Sequence, residues 1–403
     1  MIKAVILAAG EGRRLRPLTV TRPKVMIPIA NRPILEYIID ALISNGIRDI
    51  ILVVGYKREQ IMSYFEDGKA FGAKLTYVVQ KKQLGTAHAL YQARSYIKSD
   101  NEFIVLPGDN IIGAASIAEL IKLRKNAVLL TREAYPTKFG VARTKGRRLM
   151  ALAEKVTAES TSEVGVNLIG TGIFLFSPAI LDTLWTRVEA GSTDLTTMVQ
   201  RLIEDGIEFS YTETDIWSEA VYPWNLLYQN AMALSTIALE KHGKLERGVM
   251  LKGPVAVGKG SIIRAGSYIE GPVVIGNGCE IGPSACILPA TSIGHNVTIG
   301  SFTELAHSII MNDVNIGACS VISNSVISEG CTLGPHFVAV HGDTYVRVHD
   351  GFHEVKKIGA IIGEDCNFGS STVVKPGIII GAHCKVNPQI TIRENVPDNS
   401  ILG

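Results

Sequence analysis

Residues 7–24, LAAGEGRRLRPLTVTRPK, place two glycines and five cations directly behind an apolar run. Gly10 and Gly12 allow backbone N–H groups to approach an anion closely, and Arg13, Arg14, Arg16, Arg22 and Lys24 outweigh the single Glu11. The chemistry such a loop supports is the binding of a polyphosphate. Other residues further along carry less on their own. A Gly-Asp step such as the one ending at Asp109 is ordinarily a turn, Gly85-Thr86 is an ordinary helix start with Thr86 as N-cap, and a pair such as Glu154-Lys155 is ordinarily surface charge.

Elements that would position these residues are legible. At 403 residues the chain exceeds the size at which one core keeps growing, so two domains are expected. Charged residues are 19% and hydrophobic residues 46%, which excludes a disordered or coiled-coil chain. A net charge of +2 gives no reason to invoke nucleic acid or an anionic membrane surface. No apolar stretch approaches the ~20 residues of a membrane helix, and the short apolar start leads into GEGRR without a cleavage-like segment, so a cytoplasmic protein is expected. Up to about residue 230, apolar strands alternate with amphipathic helical segments, which argues for a mostly parallel sheet covered by helices. Pro33 opens a helix whose Ile34, Tyr37, Ile38, Ala41 and Leu42 share one face, and Gly46 closes it before a strand at 50–54. Further strands are expected at 1–7, 75–79, 103–106 and 127–131, with helices at 86–97 and 116–124. In such sheets ligands bind beyond the carboxyl ends of the strands, where each of these segments falls.

The second half has another rhythm. Leu251, Val257, Ile263, Ile269, Ile275, Ile281, Ile287, Ile293, Ile299, Leu305 and Met311 recur every six residues, and after a slip near Asn312 the pattern resumes as Ile362, Phe368, Val374, Ile380, Val386 and Ile392. A hexapeptide period of this kind is a parallel β-helix in which each apolar residue points inward. Between 336 and 357 the period becomes two, predicting a hairpin or long loop that leaves the helix, with Asp350-Gly351 as its turn. Residues 224–244 read as a helical connector. All six cysteines lie in this half without metal-ligand spacing; Cys279, Cys331, Cys366 and Cys384 read as small buried side chains.

Gly10, Gly12, Arg14, Leu15, Pro23 and Lys24 match the pattern G-x-G-T-R-L…P-K, and the chain resembles the sugar-1-phosphate nucleotidyltransferase family of glucose-1-phosphate thymidylyltransferase and N-acetylglucosamine-1-phosphate uridyltransferase. Arg13 stands where that family has Thr. The resemblance implies an α/β fold class: a Rossmann-like, mostly parallel nucleotidyltransferase domain over 1–230, a helical linker over 231–248, and a left-handed parallel β-helix over 249–403. It implies Mg²⁺-dependent transfer of a nucleotidyl group from a nucleoside triphosphate, UTP or dTTP, to a sugar 1-phosphate. By the same resemblance, Leu7, Ala9, Gly10, Gly12, Arg13, Gln80, Gly85 and Thr86 bind the nucleotide, and Arg14, Lys24 and Lys155 are catalytic. Gly140, Glu154, Gly170 and Thr171 bind the sugar, and Asp109 holds the metal. The second carboxylate of the family lies in W-x-D-x-G-x-P-W, present here as IWSEAVYPW, so Glu219 replaces Asp, with Asp215 a competing candidate.

Bifunctional relatives also acetylate an amino sugar on the β-helix through His-x-x-Tyr-x-Gly-Asp. The corresponding HSIIMND keeps His307 but has Ile310 and Asn312 at the Tyr and Gly positions. Acetyl-CoA chemistry with His307 as base is therefore one alternative, and a turn histidine explains the residue as well. A third reading is an inactive regulatory or assembly subunit; joint retention of Arg14, Lys24, Asp109 and Lys155 argues against it. The resemblance further implies a homo-oligomer, a trimer or a multiple of three, with no nucleic acid or membrane partner.

Overall fold

The computed structural model describes residues 2–97, 101–132, 141–153, 168–348 and 351–403. They form two compact units, one made of Met1–Glu11 and Ile34–Glu219, the other of Gly12–Pro33 and Ala220–Gly403. The arginine-rich segment thus folds with the C-terminal half. The reason is a set of buried amide contacts. The helix Asn225–Leu234 carries Asn230, which is fully buried; its Oδ1 accepts from the Ala30 N–H at 2.8 Å and its Nδ2 donates to the Ala290 carbonyl at 3.1 Å. Asn31 Nδ2 donates to the Ile293 carbonyl at 2.6 Å.

In the first unit the strands are β1 (Lys3–Ala8), β2 (Asp49–Val54), β3 (Lys74–Val79), β4 (Phe103–Pro107), β5 (Asn110–Ile112), β6 (Ala127–Arg132), β7 (Val141–Lys145), β8 (Arg148–Ala153), β9 (Leu168–Phe176), β10 (Phe209–Thr214) and β11 (Trp217–Glu219). Nine of them form one sheet in the order β3-β2-β1-β4-β9-β6-β10-β8-β7. The β3-β2-β1-β4 half is parallel, as the strand–helix alternation predicts. Beyond it the sheet is mixed, because β9 runs antiparallel to both β4 and β6. Helix Ile34–Ser44 buries Ile34, Leu35, Ile38, Ala41 and Leu42, so the 3.6-residue period turns one apolar face inward. β5 and β11 pair separately as a short antiparallel ribbon.

The second unit's β-helix has three sheets of parallel two- and three-residue strands. Val257 to Leu305 at the six-residue spacing are each no more than 1% exposed, and burying each such side chain contributes roughly 1.5–3 kcal/mol. One detail of the repeat differs from expectation. The partner of Ile293 in the next coil is Ile310, not Met311, because that coil is one residue shorter: bonds between equivalent turns span 18 residues before it and 17 across it. Met311 is buried too, so composition alone does not reveal which of the two is in register. The hairpin is Gly342–Val348 paired with Gly351–Ile358; Asp350, expected in its turn, lies outside the described residues.

The expected helical connector ends early. The helix stops at Leu234, and Glu240–Lys241 and Lys244–Leu245 already pair with the first coil, since the N–H groups of His242 and Lys244 bond to the carbonyls of Val257 and Ser261. Cys279, Cys331, Cys366 and Cys384 are at most 2% exposed, and each thiol donates to a backbone carbonyl at 3.0 or 3.1 Å, as packing residues should. Among the described residues no helix is long and apolar enough to cross a membrane.

Candidate active site

The carboxyl ends of β1 to β4 are laced together by backbone. The Gly108 N–H donates to the Leu7 carbonyl at 2.9 Å, the Tyr56 N–H to the Ala9 carbonyl at 3.0 Å, and the Gln80 N–H to the Val54 carbonyl at 2.8 Å. Gln83, which sequence reasoning missed, donates through Nε2 to the Ala9 carbonyl at 2.9 Å. Leu7, Ala9, Gln80 and Asp109 therefore all stand at one end of the parallel half of the sheet, the end at which such sheets bind ligands. Gly10 is exposed, and a Cβ there would meet nothing within 4 Å, so its backbone faces open space.

Gln80 is 4% exposed, and its Nε2 donates to the Gly85 carbonyl at 3.1 Å and to His88 Nδ1 at 2.9 Å, which folds the 80–88 segment on itself. Gly85 has φ +111°, and a Cβ there would lie 2.3 Å from the Thr193 carbonyl oxygen, so only glycine fits. Thr86 is the first residue of helix Thr86–Gln92 and not its N-cap, which is Gly85. The Thr86 hydroxyl instead donates to Asp194 Oδ2 at 3.2 Å and accepts from the Leu195 N–H at 2.8 Å, joining two helix starts.

The ribbon of β5 and β11 brings together two backbone segments that are distant in the sequence. Its register sets Glu219 opposite Asn110, the residue that follows Asp109. Asp109 and Glu219 are both half-buried. Asn110 is 1% exposed; its Nδ2 donates to the Thr171 carbonyl at 3.2 Å, and its Oδ1 has no hydrogen-bond partner among the described residues. The donors gathered here are oxygens, the set that hard divalent cations prefer. Thr171 is 2% exposed, and its hydroxyl donates to the Leu129 carbonyl at 2.8 Å, so its side chain holds the sheet. Gly170 lies in β9 opposite Leu130, where the strand pairing becomes irregular. Gly140, Glu154 and Lys155 lie outside the described residues.

The cation segment is ordered within the second unit. Gly12 has φ +76°, and a Cβ on it would come 2.8 Å from the Lys24 Cβ, so the glycine lets the lysine stem lie along the turn. The Gly12 carbonyl accepts from the Leu15 N–H at 2.9 Å and the Thr19 hydroxyl at 3.1 Å. A single turn of 3₁₀ helix, Arg13–Leu15, buries Leu15 and leaves Arg13 and Arg14 exposed. Arg22 departs from the sequence reading. Its guanidinium is bidentate to Glu329 of the β-helix at 2.9 and 2.7 Å, so this cation is committed to the fold. Thr21 beside it donates to Glu364.

His307 is one of a series of left-handed residues at the β-helix corners, with φ 48°, following Asn296 and Phe302 and preceding Asp313. It sits in the shortened corner between Leu305 and Ile310. Burial, then the neighbouring His341 and Lys357, push its imidazole pKa below the ordinary histidine value.

Comparisons with known proteins agree with these features. The nucleotidyl transferase family model matches residues 3–226, a GMPPB C-terminal domain matches 269–353, and a hexapeptide repeat of succinyl-transferase matches 359–387. The bifunctional protein GlmU of Methanococcus maripaludis is 35% identical over 99% of this chain and 96% of its own length. A bifunctional sugar-1-phosphate nucleotidylyltransferase/acetyltransferase of Sulfurisphaera tokodaii is 31% identical over 98% of both chains. The crystal structure of a putative glucose-1-phosphate thymidylyltransferase from Bacillus anthracis, in complex with a sucrose, superposes with a TM-score of 0.52 at 26% identity, over 60% of this chain and 98% of that one. With its α/β unit and left-handed hexapeptide β-helix, the chain belongs to the nucleotidyl transferase family.

Proposed function

We propose that the protein joins a nucleoside triphosphate, UTP or dTTP, to a sugar 1-phosphate, giving a nucleoside diphosphate sugar and pyrophosphate. The observation that supports this reading is the β5–β11 register, which pairs Glu219 with Asn110, the residue that follows Asp109, in a chain of this family. A phosphate oxygen of the sugar 1-phosphate attacks the α-phosphorus. The new P–O bond forms as the bond from that phosphorus to the bridging oxygen of pyrophosphate breaks, and pyrophosphate leaves with the electron pair. The nucleophile is already anionic, so no general base is needed, and catalysis consists of positioning and charge neutralisation. Backbone N–H groups at Gly10 and Gly12, with Arg13 and Arg14, take the phosphates that leave; Lys24 faces the α-phosphate and Lys155 the sugar phosphate. Leu7, Ala9, Gln80, Gly85 and Thr86 serve the nucleoside, and Gly140, Glu154, Gly170 and Thr171 the sugar. Asp109 and Glu219 would hold a divalent metal, which we take to be Mg²⁺ because their donors are carboxylate oxygens. When bound, Mg²⁺ offsets the negative charge of the phosphates. We further propose cytoplasmic action, where nucleoside triphosphates are made, and self-association through the β-helix as trimers, checked by sedimentation.

Glu219→Ala and Glu219→Asp separate this metal assignment from a bystander role. The alanine variant should lose about 10²-fold in turnover while the aspartate variant keeps most of it. Equal activity of both with the wild type would remove Glu219 from the site, and Asp215 would be tested next.

A second reading, acetyl transfer from acetyl-CoA to an amino-sugar phosphate, is favoured by the lowered pKa of His307, which keeps the imidazole neutral and able to accept a proton. An assay of glucosamine 1-phosphate with acetyl-CoA decides it: product that disappears in His307→Ala supports the second activity, and no product from the wild type excludes it.

A further inference from the structure

The hairpin of Gly342–Val348 and Gly351–Ile358 stands outside the six-residue period, and it is firmly seated. A Cβ on Gly377, whose φ is +77°, would lie 2.4 Å from Thr344 Cγ2 and 3.0 Å from Val346 Cγ2. Asn395 Nδ2 also donates to the Arg347 carbonyl at 3.2 Å. Along the second strand, exposed Phe352 and Glu354 alternate with half-buried His353 and buried Val355, so the two-residue period turns His353 inward. There its ring centroid lies 4.4 Å from that of Tyr222 and 5.8 Å from that of Trp224. Tyr222 and Trp224 are themselves stacked, 4.7 Å apart and 11° from parallel. The guanidinium carbon of Arg14 lies 5.9 Å from the Tyr222 centroid.

The geometry points to His353 as a positioning residue for Arg14: it clamps the Tyr222–Trp224 stack as the aromatic face against which the guanidinium lies. The chain of contacts stays within the second unit, from hairpin to ring pair to arginine. Its physical basis is the attraction of a cation to the ring quadrupole together with the entropy of a long side chain. A long arginine side chain loses rotamer entropy when a phosphate fixes it, and a fixed ring beside the exposed Arg14 guanidinium lowers that cost. The inference rests on the reading of Arg14 as a phosphate ligand.

The test uses the full-length chain and pyrophosphate release, with calorimetric titration of the nucleoside triphosphate and a thermal melt as companions. His353→Ala should raise the KM for the triphosphate about fivefold, with a smaller change in kcat and an unchanged melting temperature. His353→Phe, which keeps a ring, should stay within about twofold of the wild type. In an Arg14→Ala background, His353→Ala should add no further loss of triphosphate affinity, since its effect passes through Arg14. An unaltered KM in His353→Ala, a His353→Phe variant as poor as the alanine one, or additive losses in the double variant would each overturn the inference. Wild-type protein that releases no pyrophosphate with any substrate pair overturns the nucleotidyl reading beneath it. Wild-type turnover beside an unaltered His353→Ala overturns this inference alone.

Discussion

The two halves of the chain position polar groups by opposite means. In the α/β unit, Glu219 is paired with Asn110, the residue after Asp109, because two short strands meet across a long sequence separation, and nothing in the local pattern at either one announces the other. In the β-helix, a six-residue count, shortened by one at a single coil, assigns most side chains their place: inward for Ile287, at a left-handed corner for His307, beside a carbonyl for Cys331. A polar residue that obeys a repeat therefore has a structural explanation ready. One that departs from the repeat, as His353 does on its hairpin, invites a functional one. The repeat also supplies fixed acceptors, and Glu329 uses its corner to hold Arg22 of the cation segment.

That contrast can be broken or sharpened by substitution. Lys24→Ala should show the largest effect, a fall in kcat of about 10²–10³-fold with the melting temperature kept, because a cation facing developing charge acts mainly in the transition state. A stopped pyrophosphate assay and a melt on the same sample check it. Ile287→Ala should do the reverse: a loss of about 3 kcal/mol in urea unfolding of the β-helix, with turnover per folded molecule preserved. If it abolished turnover in protein that remained folded, the assignment of Ile287 to packing alone would be wrong.

Glu329→Gln falls between the two. It leaves the partly buried Arg22 guanidinium without its carboxylate and should cost about 2 kcal/mol of stability, while raising KM through a looser 12–33 segment. Calorimetry and steady-state kinetics on one preparation separate those effects.

The smallest expected effect is at His307. Its pKa in the folded protein lies below the unfolded value of 6.5, so the unfolded chain binds the proton more readily. The stability this residue contributes is present above pH 6.5 and is lost as the pH falls below it toward the folded pKa. His307→Asn, which suits a left-handed corner, should lack that loss, so the stability difference between wild type and variant should shift in the variant's favour as the medium is acidified through 6.5. A parallel pair of pH–stability curves checks the sign.

Periodicity made the β-helix core legible, since residues such as Ile281 and Ile380 have only one way to be buried at that spacing. It did not reveal that Ile310 and not Met311 keeps register, because both are apolar and one missing corner residue decides between them. Pro33 and Gly46 bracketed the first helix from chemistry local to the chain. The antiparallel entry of β9 into the sheet had no such local mark. In the candidate site, Gly12 and Lys24 belong to one legible pattern, and the close approach of the Lys24 stem supplies a physical reason for the glycine. Arg22 looked like its neighbours in the sequence and is held by a glutamate 307 residues away, a pairing that only the folded chain displays. Glu219 was reachable only through the resemblance of IWSEAVYPW to a family pattern.

The central claim is metal-dependent nucleotidyl transfer to a sugar phosphate. Its most direct test is pyrophosphate release by the wild-type chain across five nucleoside triphosphates and a panel of hexose and amino-hexose 1-phosphates, with Mg²⁺ and again with EDTA. Release is expected with UTP or dTTP and at least one sugar 1-phosphate, and EDTA should abolish it. No release from any pair with Mg²⁺ present would contradict this claim and would favour a regulatory subunit.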